Sequence, residues 1–391
     1  MQRRNFLTTA VGAACGAVSA AHAADPQGLA GHRIDALGFR SVHLPWPRQV
    51  GKNARLDVHG RGPTVDACIL RTDQGASGWG MIQGGRREVE ALRERIVGRP
   101  VAELIDPASG IRAAEWRPLD LPLHDLAGVI LGQPVWRMLG TEQPVITKVY
   151  SGMIYFDDLE PPERPAGIAK VIEECRWDRD RGYRQLKLKV GRGHRWMKPE
   201  DGLARDIEVV RAVAREVPDC EILVDGNNGF TADTFIRFLE GIEGIPLFWI
   251  EEPFHETLAD WRKLGRWTKE HRRERTWLAD GEHDPDAEVL EQLQREDVIS
   301  LRLEDILGHG FTRWRRWLPE LAATGVAASP HAWGAGLKTV YIAHLAAGLG
   351  NVPTIEGITT LEDDVDYGDN RIRDGRFHPS HRPGFGLSLR E

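Results

Sequence analysis

The chain has 391 residues, with 51 basic and 58 acidic side chains and a formal net charge of −7. That length exceeds one ordinary core and suits a barrel of about 250 residues plus a smaller domain. The charges are interspersed, with no Lys/Arg run to neutralise phosphates and no apolar stretch of about 20 residues beyond residue 25, which excludes a nucleic-acid partner and a membrane span in the mature chain.

Residues 1–24 read as an address. Arg3-Arg4-Asn5-Phe6-Leu7 precedes the weakly apolar TTAVGAACGAVSA and an Ala21-His22-Ala23 cleavage pattern. The twin arginine followed by x-Phe-Leu resembles a bacterial Tat signal, so export to the periplasm is expected. An ordinary Sec signal is the alternative, and the low hydrophobicity favours Tat. Cys15 leaves with this segment. Cys68, Cys175 and Cys220 are odd in number and irregularly spaced, which gives neither a disulfide framework nor a CxxC metal pattern.

Residues 30–144 are expected to form an α+β capping domain. The runs VDACILRT (65–72) and WGMIQG (79–84) flank Asp73-Gln74-Gly75-Ala76-Ser77-Gly78, a hairpin pattern. REVEALRERIVG (87–98) carries Val89, Leu92 and Ile96 on one helical face, and a second helix is expected over about 119–139, stopping at Gly140.

From Val145 to residue 360, strand-like runs alternate with helical patterns. ITKVYSGMIY, YRQLKLKV, EILVDG, PLFWIEEP, RTWLADGE, DVISLRLED, GVAASPH and NVPTIEG are expected as strands one to eight of an α/β, (β/α)7–8 TIM-type barrel. Thr231-Ala232-Asp233 reads as a helix N-cap. Residues 361–391 have weak periodicity and are expected to return over the cap as irregular structure.

Seven of these runs end on a charged or imidazole side chain: Lys189, Asp225, Glu251, Glu282, Asp305, His331 and Glu356, at steps of 36, 26, 31, 23, 26 and 25 residues. Each step is the length of one strand and one returning helix, so parallel strands bring these ends to one pocket. Asp225, Glu251 and Glu282 are the oxygen ligands a hard divalent cation such as Mg²⁺ wants, and without one they would repel. Asp280 points the same way as Glu282 on an ideal strand and competes for the third place. Glu252 alternates away and is expected to support the ligands.

Lys187 and Lys189, two apart, both face the interior, where mutual repulsion would lower their pKa and make a base. Asp305 beside His331 makes a dyad, the carboxylate orienting the imidazole. Glu356, if protonated, would donate to a developing oxyanion.

These residues resemble the enolase superfamily, mandelate racemase subgroup, over nearly all of the mature chain. Asp125-Leu126-Ala127-Gly128 and Gly132-Gln133-Pro134-Val135-Trp136-Arg137-Met138-Leu139-Gly140 are similar to the long cap-domain helix. The K-x-K of Lys187 and Lys189, the D-x-N of Asp225-Gly226-Asn227, Trp249-Ile250-Glu251-Glu252-Pro253, Gly281-Glu282, Ser329-Pro330-His331 and Ile355-Glu356 match its barrel motifs. The resemblance implies Mg²⁺ on Asp225, Glu251 and Glu282, Lys189 and His331 as bases, Asp305 and Glu356 as their catalytic partners, and Lys187 and Asn227 at the substrate. One segment departs: Glu304-Asp305-Ile306-Leu307-Gly308-His309-Gly310 lacks the family's Gly-Gly pair. Strict counting lands on Glu304, whereas residue identity favours Asp305, which is taken here.

The implied chemistry is removal of a proton α to a carboxylate, with Mg²⁺ stabilising the enediolate. The expected outcome is dehydration of a sugar acid, an aldonate or aldarate, and racemisation or epimerisation is the alternative. The expected partner is a small-molecule carboxylate, with the chain forming a homo-oligomer. Trp46, Arg48, Lys52 and Arg55, in the loop 43–55, are placed to meet a polar anion. A non-catalytic sugar-acid-binding or metal-binding protein would keep the carboxylates but has no reason to keep Lys189 and His331.

Overall fold

The computed structural model describes residues 26–391 apart from His283, and the expected export signal lies outside the described residues. The amino-terminal part builds an antiparallel sheet of β1 (Ile34–His43), β2 (Thr64–Thr72) and β3 (Ser77–Met81). β2 and β3 are the expected hairpin. β1 adds to it, and a register shift between Ile34 and Ala36 breaks the period-two pattern that would mark it in the sequence.

Helix α1 (Asp120–Leu131) packs on this sheet and is shorter than the helix expected over 119–139. Gly132 takes the left-handed conformation at φ 63°, and Pro134, which has no N–H, precedes a separate turn at Val135–Met138. The helix expected over 87–98 is likewise two pieces, Arg86–Glu90 and Arg93–Ile96, with Val89, Leu92 and Ile96 buried as expected.

Eight parallel strands follow: β4 (Thr147–Ile154), β5 (Gln185–Lys189), β6 (Glu221–Asp225), β7 (Leu247–Glu251), β8 (Trp277–Asp280), β9 (Leu301–Arg302), β10 (Ala327–Ala328) and β11 (Thr354–Gly357). They neighbour one another in sequence order from β4 to β10, and β11 pairs back on β4. Between β10 and β11, the Ser329 hydroxyl donates to the Thr354 carbonyl at 2.8 Å and the Ala328 N–H to the Asn351 carbonyl at 3.1 Å. Helices α2 (Ile168–Asp180), α3 (Pro199–Glu216), α4 (Ala232–Gly241), α5 (Leu258–Glu270), α6 (Ala287–Arg295), α7 (Phe311–Thr324) and α8 (Gly336–Leu349) fill the connections. α4 starts as expected at Thr231, in a reciprocal capping box with Thr234.

Alternation along each strand separates two cores. Leu186, Leu188, Ile222, Val224 and Ile250 face outward into a cluster with the helices, whereas Tyr150, Leu223, Trp249 and Ala279 fill the interior. The interior therefore takes every second residue, including Lys187 and Lys189.

The carboxyl-terminal segment is more regular than expected. β12 (Arg371–Arg373) and β13 (Arg376–His378) form a hairpin, and Arg376 and Phe377 pair with Lys148 and Thr147 at the start of β4. The chain then crosses α1, where Asp125 accepts N–H bonds from Trp79 at 2.9 Å and Phe385 at 2.8 Å. A Cβ on Gly128 would lie 2.7 Å from Gly384, so the two backbones touch there. Among the described residues no helix is long and apolar enough to cross a membrane.

Asp125→Ala leaves two buried N–H groups unpaired, at about 1–3 kcal/mol each. The melting temperature is expected to fall by several degrees, read by calorimetry, and an unchanged value would remove this clamp from the account.

Candidate active site

Register builds the site. Lys189 is the Cα partner of Asp225, Asp225 of Glu251, and Glu251 of Ala279, so three charged residues lie side by side on neighbouring strands. Ala279 faces inward, hence Asp280 faces outward, with Arg302 as its strand partner. The expectation that Asp280 and Glu282 point the same way is corrected. The strand ends at Asp280, and Gly281, at φ 113°, turns the chain inward so that Glu282 joins the row. One oxygen from each of Asp225, Glu251 and Glu282 lies within 4.8 Å of the others.

Two lysines compensate this charge. Lys187 Nζ is 2.8 Å from Glu251, 3.2 Å from Asp225 and 3.3 Å from Glu356. It donates to Glu251 and forms ion pairs with Asp225 and Glu356, which places it within the carboxylate row. Lys189 bonds Asp225, and its ammonium lies 5.1 Å from the centre of the Tyr155 ring. Burial works to lower the pKa of both lysines, but the facing carboxylates outweigh it and raise them. Lys187 does lower the Lys189 pKa, as repulsion between the two predicts, but Asp225 outweighs it. Burial likewise opposes the charge on Asp225, yet Lys189 and Lys187 hold its carboxyl below the usual range.

His331 closes the other end of the row. Its Nε2 lies 3.2 Å from Glu282 and 3.9 Å from Glu356, and its Nδ1 lies 3.0 Å from Asp305. Burial lowers its pKa, but Glu282, Glu356 and Asp305 together raise it. Asp305, not Glu304, is thus the partner, while Glu304 pairs with Arg302. Asp305 also accepts from Lys338 at 2.8 Å, a residue the sequence reading missed because the apolar run of α8 reads only as core.

Glu356 is not the protonated donor expected. It accepts the Ala332 N–H at 2.7 Å and faces Lys187, which with His331 overcomes burial and lowers its pKa. Glu252 supports the row as expected, its carboxylate accepting the Glu282 N–H at 3.3 Å. Asn227 follows Asp225 at φ 41°, donates its N–H to Asp225 at 2.9 Å, and has a buried Oδ1 without a partner.

The cap loop covers the mouth, but its cations are committed. Arg48 makes a two-pronged pair with Asp178 at 2.8 and 2.9 Å, Lys52 lies 2.8 Å from Glu160, and Arg55 donates to the carbonyls of Asn227 and Asn228. These contacts fasten the loop to the barrel. Trp46 donates to the Gly334 carbonyl at 3.1 Å and packs on Trp333.

The carboxylates fit a hard cation. Glu251 Oε2 and Glu282 Oε2 are buried with no protein partner, and three carboxylate oxygens form the donor set such ions take.

Residues 170–391 match the enolase C-terminal domain-like family. The chain belongs to that family. A Geobacillus galacturonate dehydratase solved with Mg is 28% identical, with a TM-score of 0.85 over 93% of this chain and 94% of that one. D-xylonate dehydratase of Haloferax volcanii is 24% identical over 95% of each chain. L-Lys-D/L-Arg epimerase of Methylococcus capsulatus is 25% identical over 85% of this chain and 86% of its own. A 3,6-anhydro-alpha-L-galactonate cycloisomerase of Streptomyces coelicolor is 33% identical over 140 residues, 33% of its length. The fold is thus the enolase-superfamily barrel with an amino-terminal capping domain, and the protein is an enzyme of that superfamily.

Glu251→Gln should weaken Mg²⁺ binding by more than tenfold and abolish activity, since one of three charged ligands becomes neutral. Titration calorimetry checks it, and an unchanged affinity would sink the ligand assignment.

Proposed function

We propose that this protein is a Mg²⁺-dependent dehydratase of a sugar acid, yielding a 2-keto-3-deoxy acid. The observation that carries the reading is the placement of two proton-carrying groups at the two ends of one carboxylate row. Lys189 rests on Asp225, and His331 rests on Glu282. A cation held by Asp225, Glu251 and Glu282 would bind the substrate carboxylate, acidify the α-proton and draw off the Asp225 charge that pins Lys189. Lys189, having released its own proton to solvent and become a neutral amine, then takes the α-proton on Nζ from one side. His331 Nε2, oriented through Nδ1 by Asp305, gives a proton to the departing β-hydroxyl from the other. Glu356 stays ionised and braces the Ala332 backbone and Lys187, which fixes the floor between the two groups.

Epimerisation is the second reading, supported by the epimerase among the relatives, since the same pair would deprotonate one face and reprotonate the other. The twin arginine of Arg3-Arg4 supports a periplasmic site of action.

In D₂O, wild-type protein with Mg²⁺ should exchange the α-proton of a substrate acid. Lys189→Ala and His331→Asn should each lose exchange with only one α-configuration, and net turnover should fall about 10²–10⁴-fold in either variant. Should both variants exchange both configurations at the wild-type rate, these groups are not the acid–base pair.

A further inference from the structure

We infer that His59, on the cap loop, accepts a hydrogen bond from a substrate hydroxyl remote from the reacting carboxylate, and so selects acids with an uncharged, hydroxylated tail over dicarboxylates. The inference rests on the dehydratase reading and narrows its substrate class from aldonate or aldarate to aldonate or a similar monoacid.

Residues 44–63 form a doubled-back loop. Leu44, Trp46 and Val50 donate their N–H groups to Pro63, Arg61 and Gly60, and the His59 N–H returns to Val50 at 2.9 Å. This loop touches the barrel mouth just beyond the ends of β4 and β10. The His59 ring meets Tyr155 edge-on, with centroids 4.7 Å apart, and Trp333 at 5.4 Å. Tyr155 holds the Lys189 ammonium against its ring, and Trp333 stands two residues beyond His331. His59 therefore packs against the two rings that flank the proton-carrying groups, Tyr155 beside Lys189 and Trp333 beyond His331.

Its chemistry is fixed by its own loop. His59 Nδ1 lies 2.7 Å from the Gly51 carbonyl, and a carbonyl only accepts, so Nδ1 carries the hydrogen. In the neutral ring Nε2 is then a bare acceptor turned away from that carbonyl, and it is buried without a protein partner. Burial lowers the pKa of the ring, which keeps it neutral. A buried, unpaired acceptor is costly until something donates to it. A sugar hydroxyl donates. A terminal carboxylate has no hydrogen to give and would set acceptor against acceptor.

The other polar groups of the loop do not offset this. Arg48 and Lys52 are paired with Asp178 and Glu160, Arg55 is held by the carbonyls of Asn227 and Asn228, and Arg61, the remaining cation of the loop, is exposed.

The test uses the full-length Mg²⁺-loaded enzyme and its His59→Phe and His59→Gln variants. The probes are C5 and C6 aldonates, each paired with the aldarate of the same configuration, and glycerate as a short acid that does not reach His59. Turnover is read as 2-keto product, and glycerate as α-deuteration in D₂O. The wild type should prefer its best aldonate to the matching aldarate by roughly tenfold or more, the discrimination one unpaired polar group supplies. His59→Phe keeps the ring packing. It should raise KM for the aldonate with kcat little changed, and bring the aldonate/aldarate ratio towards one. His59→Gln, which offers an amide oxygen, should recover part of the ratio, and glycerate exchange should stay at the wild-type rate in both variants. A wild-type preference for aldarates, or a ratio unmoved by His59→Phe, overturns the inference while leaving the dehydratase reading in place. Equal loss of glycerate exchange in His59→Phe also overturns it, because His59 would then act through Tyr155 and Lys189. A wild type that neither exchanges glycerate nor turns over any sugar acid overturns the dehydratase reading itself, and this inference with it.

Discussion

Four carboxylates, on β6, β7, the turn after β8, and β11, share the mouth of one barrel, and two buried ammonium groups, Lys187 above all, make that arrangement tolerable. Lys187 is 1% exposed and lies within 3.3 Å of three of them. Burying like charges together is unfavourable by several kcal/mol per ion unless opposite charge and hydrogen bonds answer them. Tyr150, fully enclosed below, offers its ring face 5.3 Å from the same ammonium. The site is a charge lattice with Lys187 at its centre, and the residues that perform chemistry occupy its edge.

The cap and the barrel divide the remaining work. The barrel sets the distances between charged groups through strand register, which packing makes rigid. The cap loop closes over them with Arg48, Lys52 and Arg55 used as fasteners. With these three holding the loop, its Trp46 and His59 pack on the rings of Trp333 and Tyr155 at the mouth. Two of these rings, Tyr155 and Trp333, stack 4.7 Å apart and tie the first strand end to the seventh.

Much of this was legible from residue spacing because a parallel barrel turns sequence period into spatial adjacency. Lys189, Asp225, Glu251, Glu282, Asp305, His331 and Glu356 do meet at one mouth. What spacing could not carry was local backbone direction and electrostatic context. Asp280 and Glu282 look equivalent on an ideal strand, and only the positive φ of Gly281 separates them. Glu356 reads as a possible acid until the Ala332 N–H and Lys187 are seen against it. The raised lysines have the same origin, since repulsion between Lys187 and Lys189 is visible in the sequence and their closer carboxylates are not. β1 escaped notice through its bulge, and the cap helix looked continuous across Gly132 because apolar residues resume at Val135.

The opposition of the two bases follows from strand order alone. The carboxylate row occupies three successive positions around the barrel, β6, β7 and the turn after β8. Lys189 stands on the strand before the row, and His331 two strands past it, each touching the nearest member. Any carboxylic acid anchored at the row is flanked by both, whatever its tail. The same pair then suits elimination, where the second group protonates a leaving hydroxyl, and epimerisation, where it protonates carbon. Strand-end residues cannot choose between these outcomes, because they see only the carboxylate and the two carbons beside it. The choice falls to whatever fixes the rest of the molecule.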